Sequence, residues 1–286
     1  MGALRNKQVS PRACSGIGRN RSNQLKRMLI QDNPLGFSKT SLGGHMGRSM
    51  MFLEMRTLVR SMPLSVTKGD FTKAIVDENI LEKPTLSSRK ESLIRMTQLY
   101  GMDPSKALFR VLWDLGHSDL DSLPQLCLVC AYARDPQLRY SFELIRTLRL
   151  GEVLARADME QHLENGFPGR FSRATKASMA RNVNTTWTFG GHLTGKVKKT
   201  SRHPEPRPIS AAYAMFVGYL TGLRGERLLN SAFASLVATN RSQLLAALSL
   251  ASAKGLLSLK QAAGIVEFDF SNLLTSAEQE LLHESN

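Results

Sequence analysis

Positive charge is concentrated in one stretch of this chain, residues 170–207. Nine Lys and Arg residues stand there against a single acid, Glu205, which leaves a local excess of eight positive charges. Such a surplus is typical of a surface that binds a polyanion, and nucleic acid phosphates are the most common one. Four uncharged side chains between these charges can exchange hydrogen bonds with base edges: Ser178, Asn182, Asn184 and Thr185. The stretch therefore predicts a nucleic-acid-binding surface.

The residues expected to touch nucleic acid form two groups. The first lies on or just before a helix that is predicted to begin at the cap Ser172 and to end near Trp187: Arg170, Arg173, Lys176, Ser178, Arg181, Asn182, Asn184 and Thr185. The second lies on the loop after that helix: Lys196, Lys198, Lys199 and Arg202. At 100° per residue one arc of the helix is apolar and should pack: Met179, Ala180, Val183 and Trp187. The opposite arc would then be free to enter a major groove.

Residues 190–196 match the Gly-x-x-x-x-Gly-Lys spacing of a phosphate-binding loop, which would indicate a nucleotide-hydrolysing enzyme. The residue that follows is Val197, so the Ser or Thr that binds magnesium is missing. The chain then continues into lysines and prolines instead of a helix that could point its N-terminus at phosphate. A helix end followed by a basic hairpin is the preferred interpretation.

Cys127 and Cys130 have the spacing of half a zinc site, but a structural zinc needs four ligands, and the only other cysteine is Cys14. The neighbours of the close pair are apolar, so two buried core thiols are expected. Three cysteines are also too few for a disulfide framework, which favours a reducing cytoplasm. We expect no metal and no cofactor.

Four further polar residues crowd the end of one predicted helix and could be imagined as a metal-dependent nuclease centre: Asp114, His117, Asp119 and Asp121. Helix termination and capping explain them more simply. No Ser, His and acid set with recognisable spacing stands out either. The chain is therefore expected to be non-enzymatic.

The elements that must position the basic surface are mostly helices. The chain has 286 residues and a 42% hydrophobic composition, and most of its apolar residues recur at helical spacing. Extended patterns are confined to the basic segment, residues 157–208, and to the C-terminal region. The expected fold is mainly α, a helical bundle followed by winged-helix-like elements with a small β-hairpin. The expected segments are a basic flexible extension (1–36), a helical bundle (37–156), a basic helix-turn-helix-like unit with a wing-like loop (157–208) and a winged-helix-like domain (209–286).

The C-terminal segment shows the clearest order of elements. Helices are predicted over residues 209–221, 226–238 and 242–253, followed by strands over 256–259 and 265–270. Three helices followed by a hairpin form the outline of a winged helix. The basic segment is a rougher copy, in which Pro204, Pro206 and Pro208 predict that the returning strand is at an edge or missing.

The N-terminal region carries a second block of charge. Residues 1–50 hold nine Lys or Arg against Asp32, another excess of eight, and the chain as a whole has a formal charge of +14. A mobile basic tail and a mitochondrial presequence are both open interpretations of the acid-free start. The longest nearly apolar segment, 209–220, is shorter than the roughly 20 residues that cross a bilayer, so no membrane association is expected.

Several short stretches resemble one protein family. Phe37–Arg56 (FSKTSLGGHMGRSMMFLEMR) and Ile75–Leu81 (IVDENIL) are similar to the start of the BrxA family of BREX bacteriophage-defence systems. The later part of that family is similar to Ser172–Lys176 (SRATK), Gly191–Gly195 (GHLTG) and Leu228–Phe233 (LLNSAF), so the resemblance runs from about Phe37 to Leu274. It implies a helical, non-enzymatic protein with a bundle like that of the antitermination factor NusB and with winged-helix elements. It also implies duplex DNA, and other BREX components, as partners.

Three functional hypotheses remain at this point. The leading one is a double-stranded DNA-binding component of a BREX-type defence system, because charge and resemblance agree. The second is an RNA-binding, NusB-like regulator that uses the same basic face. The third is an assembly adaptor of the defence complex whose C-terminal domain binds partner proteins.

Overall fold

The computed structural model describes residues 33–38, 43–262 and 265–284. All of them belong to one compact unit, Asp32–Asn286. The predicted fold class is confirmed, since the described residues form thirteen α-helices and two small antiparallel sheets. The predicted basic extension, residues 1–36, lies almost entirely outside the described residues, and so does Cys14.

The first half of the described chain is helical. Its helices are α1 (Phe52–Ser61), α2 (Lys68–Thr72), α3 (Leu86–Tyr100), α4 (Ala107–Ser118), α5 (Leu123–Arg134) and α6 (Pro136–Ile145). A 3₁₀ turn at Gly44–Met46 precedes them, and a π-helical turn at Lys73–Asp77 continues α2. The chain continues with β1 (Val153–Leu154) and α7 (Arg156–Gly166), and the basic segment then contains α8 (Arg173–Phe189), β2 (Leu193–Thr194) and β3 (Lys199–Ser201).

The last part contains α9 (Pro208–Leu220), α10 (Glu226–Leu229), α11 (Ala232–Val237), α12 (Arg241–Ala253), β4 (Ser258–Ala262), β5 (Ile265–Asp269) and α13 (Ser276–Glu284). The hairpin predicted there is confirmed: β4 and β5 pair antiparallel, with Lys260 opposite Glu267. The single helix predicted over 226–238 is wrong. The chain breaks after α10 because the Ser231 side chain accepts a hydrogen bond from the Ala234 N–H and so begins α11.

Helices α5 and α9 form the centre of the core. Their sequences are apolar on every face, and almost every residue of both is buried. This burial confirms the expectation for Cys127 and Cys130, which are free thiols inside α5. One continuous hydrophobic core runs through all three predicted segments that the structure describes.

A three-stranded sheet in the order β1-β3-β2 joins the basic segment, residues 157–208, to strand β1, which lies just before it. The expectation of an edge or missing return strand is wrong, because β3 is the central strand, with Leu154 opposite Lys199 on one side and Thr194 opposite Thr200 on the other. Pairing is possible because β3 ends at Ser201, before Pro204 would remove a hydrogen-bond donor. Strand β1 is only two residues long and is not among the predicted elements.

A buried polar network fixes α8 against α6. The His45 Nδ1 atom lies 2.8 Å from the Asp135 Oδ2 atom, and its Nε2 atom lies 2.7 Å from the Thr186 Oγ1 atom. All three residues are buried. Both ring nitrogens of His45 therefore have an oxygen partner, and the Thr186 Oγ1 atom also lies 3.0 Å from the Asn182 carbonyl oxygen.

We call His45, Asp135 and Thr186 the His45 network. Burial alone would raise the pKa of Asp135, but the His45 charge, together with hydrogen bonds from that residue and from the Leu138 N–H, lowers it below its usual value. Gly43 is required beside the network, since a Cβ at that position would collide with the Asp135 carboxylate. The Gly-Gly-His motif of the first resembling stretch is therefore a packing and hydrogen-bonding element.

A candidate nucleic-acid interface

Helix α8 begins where the sequence predicts. The Ser172 side chain accepts a hydrogen bond from the Thr175 N–H at 3.2 Å and caps the helix. The predicted packing arc is confirmed, because Met179, Ala180, Val183 and Trp187 are all fully buried. The opposite side of the helix, marked by Ala174 and Arg181, faces solvent.

Two of the polar residues predicted to contact bases are less exposed than expected. Asn184 is only 5% exposed, because it lies one turn after Ala180 and shares the packing side of α8. Asn182 is half-buried and donates from its Nδ2 atom to the His45 carbonyl oxygen at 3.1 Å. Asn182 therefore supports the His45 network, and its assignment to base contacts is corrected.

Three basic residues of the segment are paired with acids of the chain. The Lys176 Nζ atom lies 2.5 Å from a Glu164 carboxylate oxygen, and this hydrogen bond lowers the pKa of Glu164. Further ion pairs join Arg202 to Glu205 at 3.0 Å, and Arg207 to Asp119 and Asp121 at 3.6 Å and 2.8 Å. These cations are less available to phosphates than the charge count suggests.

The remaining predicted residues on and before α8 lie at the surface. Arg170 is exposed, with its guanidinium 5.8 Å from the centre of the Phe171 ring. Arg173 is exposed at the first position of the helix, while Ser178 and Thr185 are half-buried. The Thr185 hydroxyl donates to the Arg181 carbonyl oxygen at 2.8 Å.

The loop between β2 and β3 turns at Gly195. Its φ of +90° lies in the left-handed region, and a Cβ would collide with the Lys198 carbonyl oxygen. The Lys199 Nζ atom donates to the Gly195 carbonyl oxygen at 2.8 Å, and partial burial lowers the pKa of Lys199. Lys196 and Lys198 are exposed, and Val197 between them is 94% exposed. The interpretation of residues 190–196 as a helix end followed by a basic hairpin is confirmed.

Helix α8 and this loop meet at a cleft of about 270 Å³, which we call the basic cleft. It is lined by Leu154, Arg156, Arg181, Asn184, Thr185, Lys196, Val197 and Lys199. Four of these residues are cations and none is an acid. Five of the twelve predicted contact residues therefore lie together: Arg181, Asn184, Thr185, Lys196 and Lys199.

Arg156, the first residue of α7, lines the cleft but is not among the twelve predicted residues, and its Nε atom lies 2.9 Å from a Glu160 oxygen. Asp158 could have indicated it, because its carboxylate accepts the Ala155 N–H and marks the start of the helix. Nothing in the sequence places that helix start beside Lys199. The pairing of β1 with β3 does so.

The polar residues considered as a nuclease centre, Asp114, His117, Asp119 and Asp121, do not form a metal-binding cluster. The two ring nitrogens of His117 lie within hydrogen-bond distance of the Trp113 and Met62 carbonyl oxygens, while Asp119 accepts from the Ser122 hydroxyl and pairs with Arg207. Among the described residues no group of three or more His, Cys, Asp or Glu side chains could hold a metal ion. In the same part of the chain, no helix combines the length and apolar character that crossing a bilayer requires.

Comparison with models of known protein families, and with curated proteins, finds no match to this chain. The basic cleft must therefore be interpreted from its own chemistry. Guanidinium and ammonium groups without acids between them bind phosphate oxygens through charge-assisted hydrogen bonds. The cleft can hold an anion, and the helix and loop that form it can extend that contact along a charged strand.

Proposed function

We propose that this protein binds double-stranded DNA as a non-enzymatic component of a BREX-type phage-defence system. One observation carries the proposal: Arg181 on α8 and Lys196 and Lys199 on the loop line a single cleft that contains no acid. Charges that are distant in sequence thus act on one ligand. The resemblance to the BrxA family supports the same assignment.

Helix α8 is suited to enter a major groove. Its outward side carries Ala174, Ser178, Arg181 and Thr185, and three of these four side chains are small, so that the backbone can approach closely. Arg173 at the N-terminal end would meet a phosphate or a guanine edge. Lys196 and Lys198 then bind the neighbouring backbone, which positions the helix without selecting a sequence.

The number of phosphate contacts determines how strongly the affinity for DNA depends on salt concentration. Five of the predicted cations have no ion pair with a described acid: Arg173, Arg181, Lys196, Lys198 and Lys199. If four or five of them each neutralise one phosphate, log K should fall with log salt with a slope of about −3.6 to −4.5. The chain as a whole carries many more cations, so a slope near −10 would mean that another surface dominates.

The test compares two double variants with equal changes of charge. Lys196→Glu with Lys198→Glu reverses two exposed loop cations, and Arg60→Glu with Lys254→Glu reverses two exposed cations outside the cleft. Fluorescence anisotropy with random-sequence duplexes at two salt concentrations gives both affinity and slope. We expect the loop variant to bind about a hundredfold more weakly and to lose about two units of slope, and the control to change much less. Equal effects of both variants would refute the proposal.

The two alternatives are tested with the same protein. Competition between duplex DNA and structured RNA decides whether the basic face prefers RNA, as a NusB-like regulator would. Co-purification with neighbouring gene products that survives nuclease treatment would favour an assembly adaptor. The experiment with loop variants separates these outcomes, because an adaptor would keep its partners after Lys196 and Lys198 are reversed.

A further inference from the structure

A second cavity, of about 300 Å³, lies apart from the basic cleft and shares no lining residue with it. It is formed where the ends of α6, β3 and α11 meet the residue before β2. Its volume is at the lower end of the range for small-molecule sites. We call it the His192 cavity, and the residues that define its chemistry are Phe142, Arg146, His192, Ser201, Arg202 and Ala238.

His192 leaves one ring nitrogen without a hydrogen bond. Its Nε2 atom lies 2.9 Å from the Leu236 carbonyl oxygen, which can only accept, so Nε2 carries a proton. Burial lowers the pKa of His192 to about 4, so the ring is neutral at pH 7 and its Nδ1 atom carries no proton. No described residue donates to Nδ1, although His192 is only 4% exposed. The cavity therefore contains a free acceptor.

The Ser201 hydroxyl is a second polar group without a partner. The residue is 7% exposed, and its Oγ atom makes no hydrogen bond to a described residue, His192 included. Both the Ser201 Oγ atom and the His192 Nδ1 atom keep surface that solvent can reach. Because both residues are otherwise buried and line the same cavity, that surface is reached from the cavity. A hydroxyl group of a ligand can donate to Nδ1 and accept from Oγ at once.

The rest of the lining determines the body and the other end of such a ligand. Phe142 and Ala238 are buried and apolar, so they favour an apolar body. Arg146 and Arg202 are exposed cations, and none of the described residues that line the cavity is an acid. Each arginine has an ion pair at 3.0 Å with an acid outside the lining. Exposed pairs of this kind are weak, so an anionic group of a ligand can replace them.

We infer that the His192 cavity binds a small organic acid that carries a hydroxyl group and an anionic group at opposite ends of an apolar body. The ligand hydroxyl donates to the His192 Nδ1 atom and accepts from the Ser201 hydroxyl. The apolar body packs against Phe142, and the anionic group pairs with Arg146 or Arg202. This inference goes beyond the proposed function and does not rest on it, because the basic cleft uses other residues.

Isothermal titration calorimetry with three acids tests the inference: 4-hydroxybenzoate, 4-hydroxyphenylacetate and 3-(4-hydroxyphenyl)propionate. They differ in the distance between hydroxyl and carboxylate. The tightest of them is then compared with the same acid lacking the hydroxyl and with its uncharged amide. We expect each change to weaken binding about tenfold, since each removes one polar contact. Binding of none of the acids at millimolar concentration, or equal binding of the acid and its hydroxyl-free analogue, would overturn the inference.

Ala238→Leu tests the location by filling the cavity. The backbone of Ala238 is extended, with a φ of −148°, so it accommodates leucine, and Ala246→Leu on the exposed side of α12 is the matched control. Ala238→Leu should abolish binding of the tightest acid, and the control should leave it unchanged. The melting temperature shows whether each variant is folded. Full binding by folded Ala238→Leu would place the acid elsewhere and refute the site.

Ser201→Ala keeps the inference testable if Ala238→Leu does not fold. It should weaken the hydroxy acid about tenfold and leave the hydroxyl-free analogue unchanged, because only the former contacts the Ser201 hydroxyl. Equal losses for both acids would contradict that contact.

The double change Lys196→Glu with Lys198→Glu separates this cavity from the basic surface. It should leave binding of the acid unchanged while it weakens binding of duplex DNA. A parallel loss of acid binding would mean that the acid binds at the basic cleft, which would overturn the inference without affecting the proposed function.

Discussion

The His45 network gives the most quantitative prediction, through the change His45→Ala. The change leaves the Asp135 carboxylate buried without its charged partner and removes the hydrogen bond to the Thr186 hydroxyl. Breaking a buried ion pair on one side costs about 3–5 kcal/mol, because the remaining charge stays desolvated. The free energy of unfolding of a whole protein is only about 5–15 kcal/mol, so the loss should be large.

Urea denaturation followed by far-UV circular dichroism measures this loss at pH 7. The double change His45→Ala with Asp135→Asn is the control, since it removes the buried charge and keeps an oxygen that accepts the Leu138 N–H, and it should cost less than His45→Ala alone. A loss below about 1 kcal/mol for His45→Ala would refute the assignment of a charged pair.

The same pair predicts a pH dependence. The pKa of Asp135 is lower in the folded protein than in the unfolded chain, where it is about 3.9. Its contribution to stability is therefore complete above that value and is lost as the pH falls through the folded-state pKa. The cost of His45→Ala should shrink at the acid end of the titration. A cost that stays constant with pH would contradict the linkage.

Three substitutions and one labelling experiment test individual contacts. Gly195→Ala should strain the loop by about 1–3 kcal/mol, because its φ is +90°. It should weaken the binding of duplex DNA in anisotropy while the protein stays folded at the temperature of the assay. Arg207→Ala should leave the salt slope of binding unchanged, since Asp119 and Asp121 already pair with this half-exposed cation; a slope lower by one unit would place it in the interface. Cys127 should react with a thiol reagent only on unfolding, because burial raises its pKa; rapid labelling of native protein would contradict this. Val197→Ala should change the free energy of unfolding by less than about 0.5 kcal/mol, because the side chain is 94% exposed; a larger loss in urea denaturation would mean that it packs in the fold.

Much of the architecture follows from local patterns in the sequence. Caps such as Ser172 and the recurrence of Met179 and Val183 at helical spacing predict α8 and its buried side correctly. The prediction for the return strand β3 is wrong because Pro204 lies three residues beyond the end of the strand, so its missing N–H does not interrupt the hydrogen bonds of β3. Short strands such as β1 have no pattern of their own and exist only through pairing.

The site could be predicted only in part, because it depends on contacts between distant residues. His45 lies 90 positions from Asp135 and 141 from Thr186, and no motif joins three such positions. Arg156 reaches the basic cleft only because β1 pairs with β3. The excess of positive charge identifies the segment correctly but does not show that Lys176 and Arg202 are paired within the chain.

The polar residues of α8 serve two different sides of the helix. Asn182 and Thr186, four positions apart, face the His45 network, and Arg181 and Thr185, also four apart, line the basic cleft. The two pairs are offset by one residue, a rotation of about 100° around the helix axis. The His45 network therefore fixes the rotation of α8, and with it the direction in which Arg181 points. We therefore expect the His45 network on one side of the helix to influence whether the charges on the other side converge on one ligand.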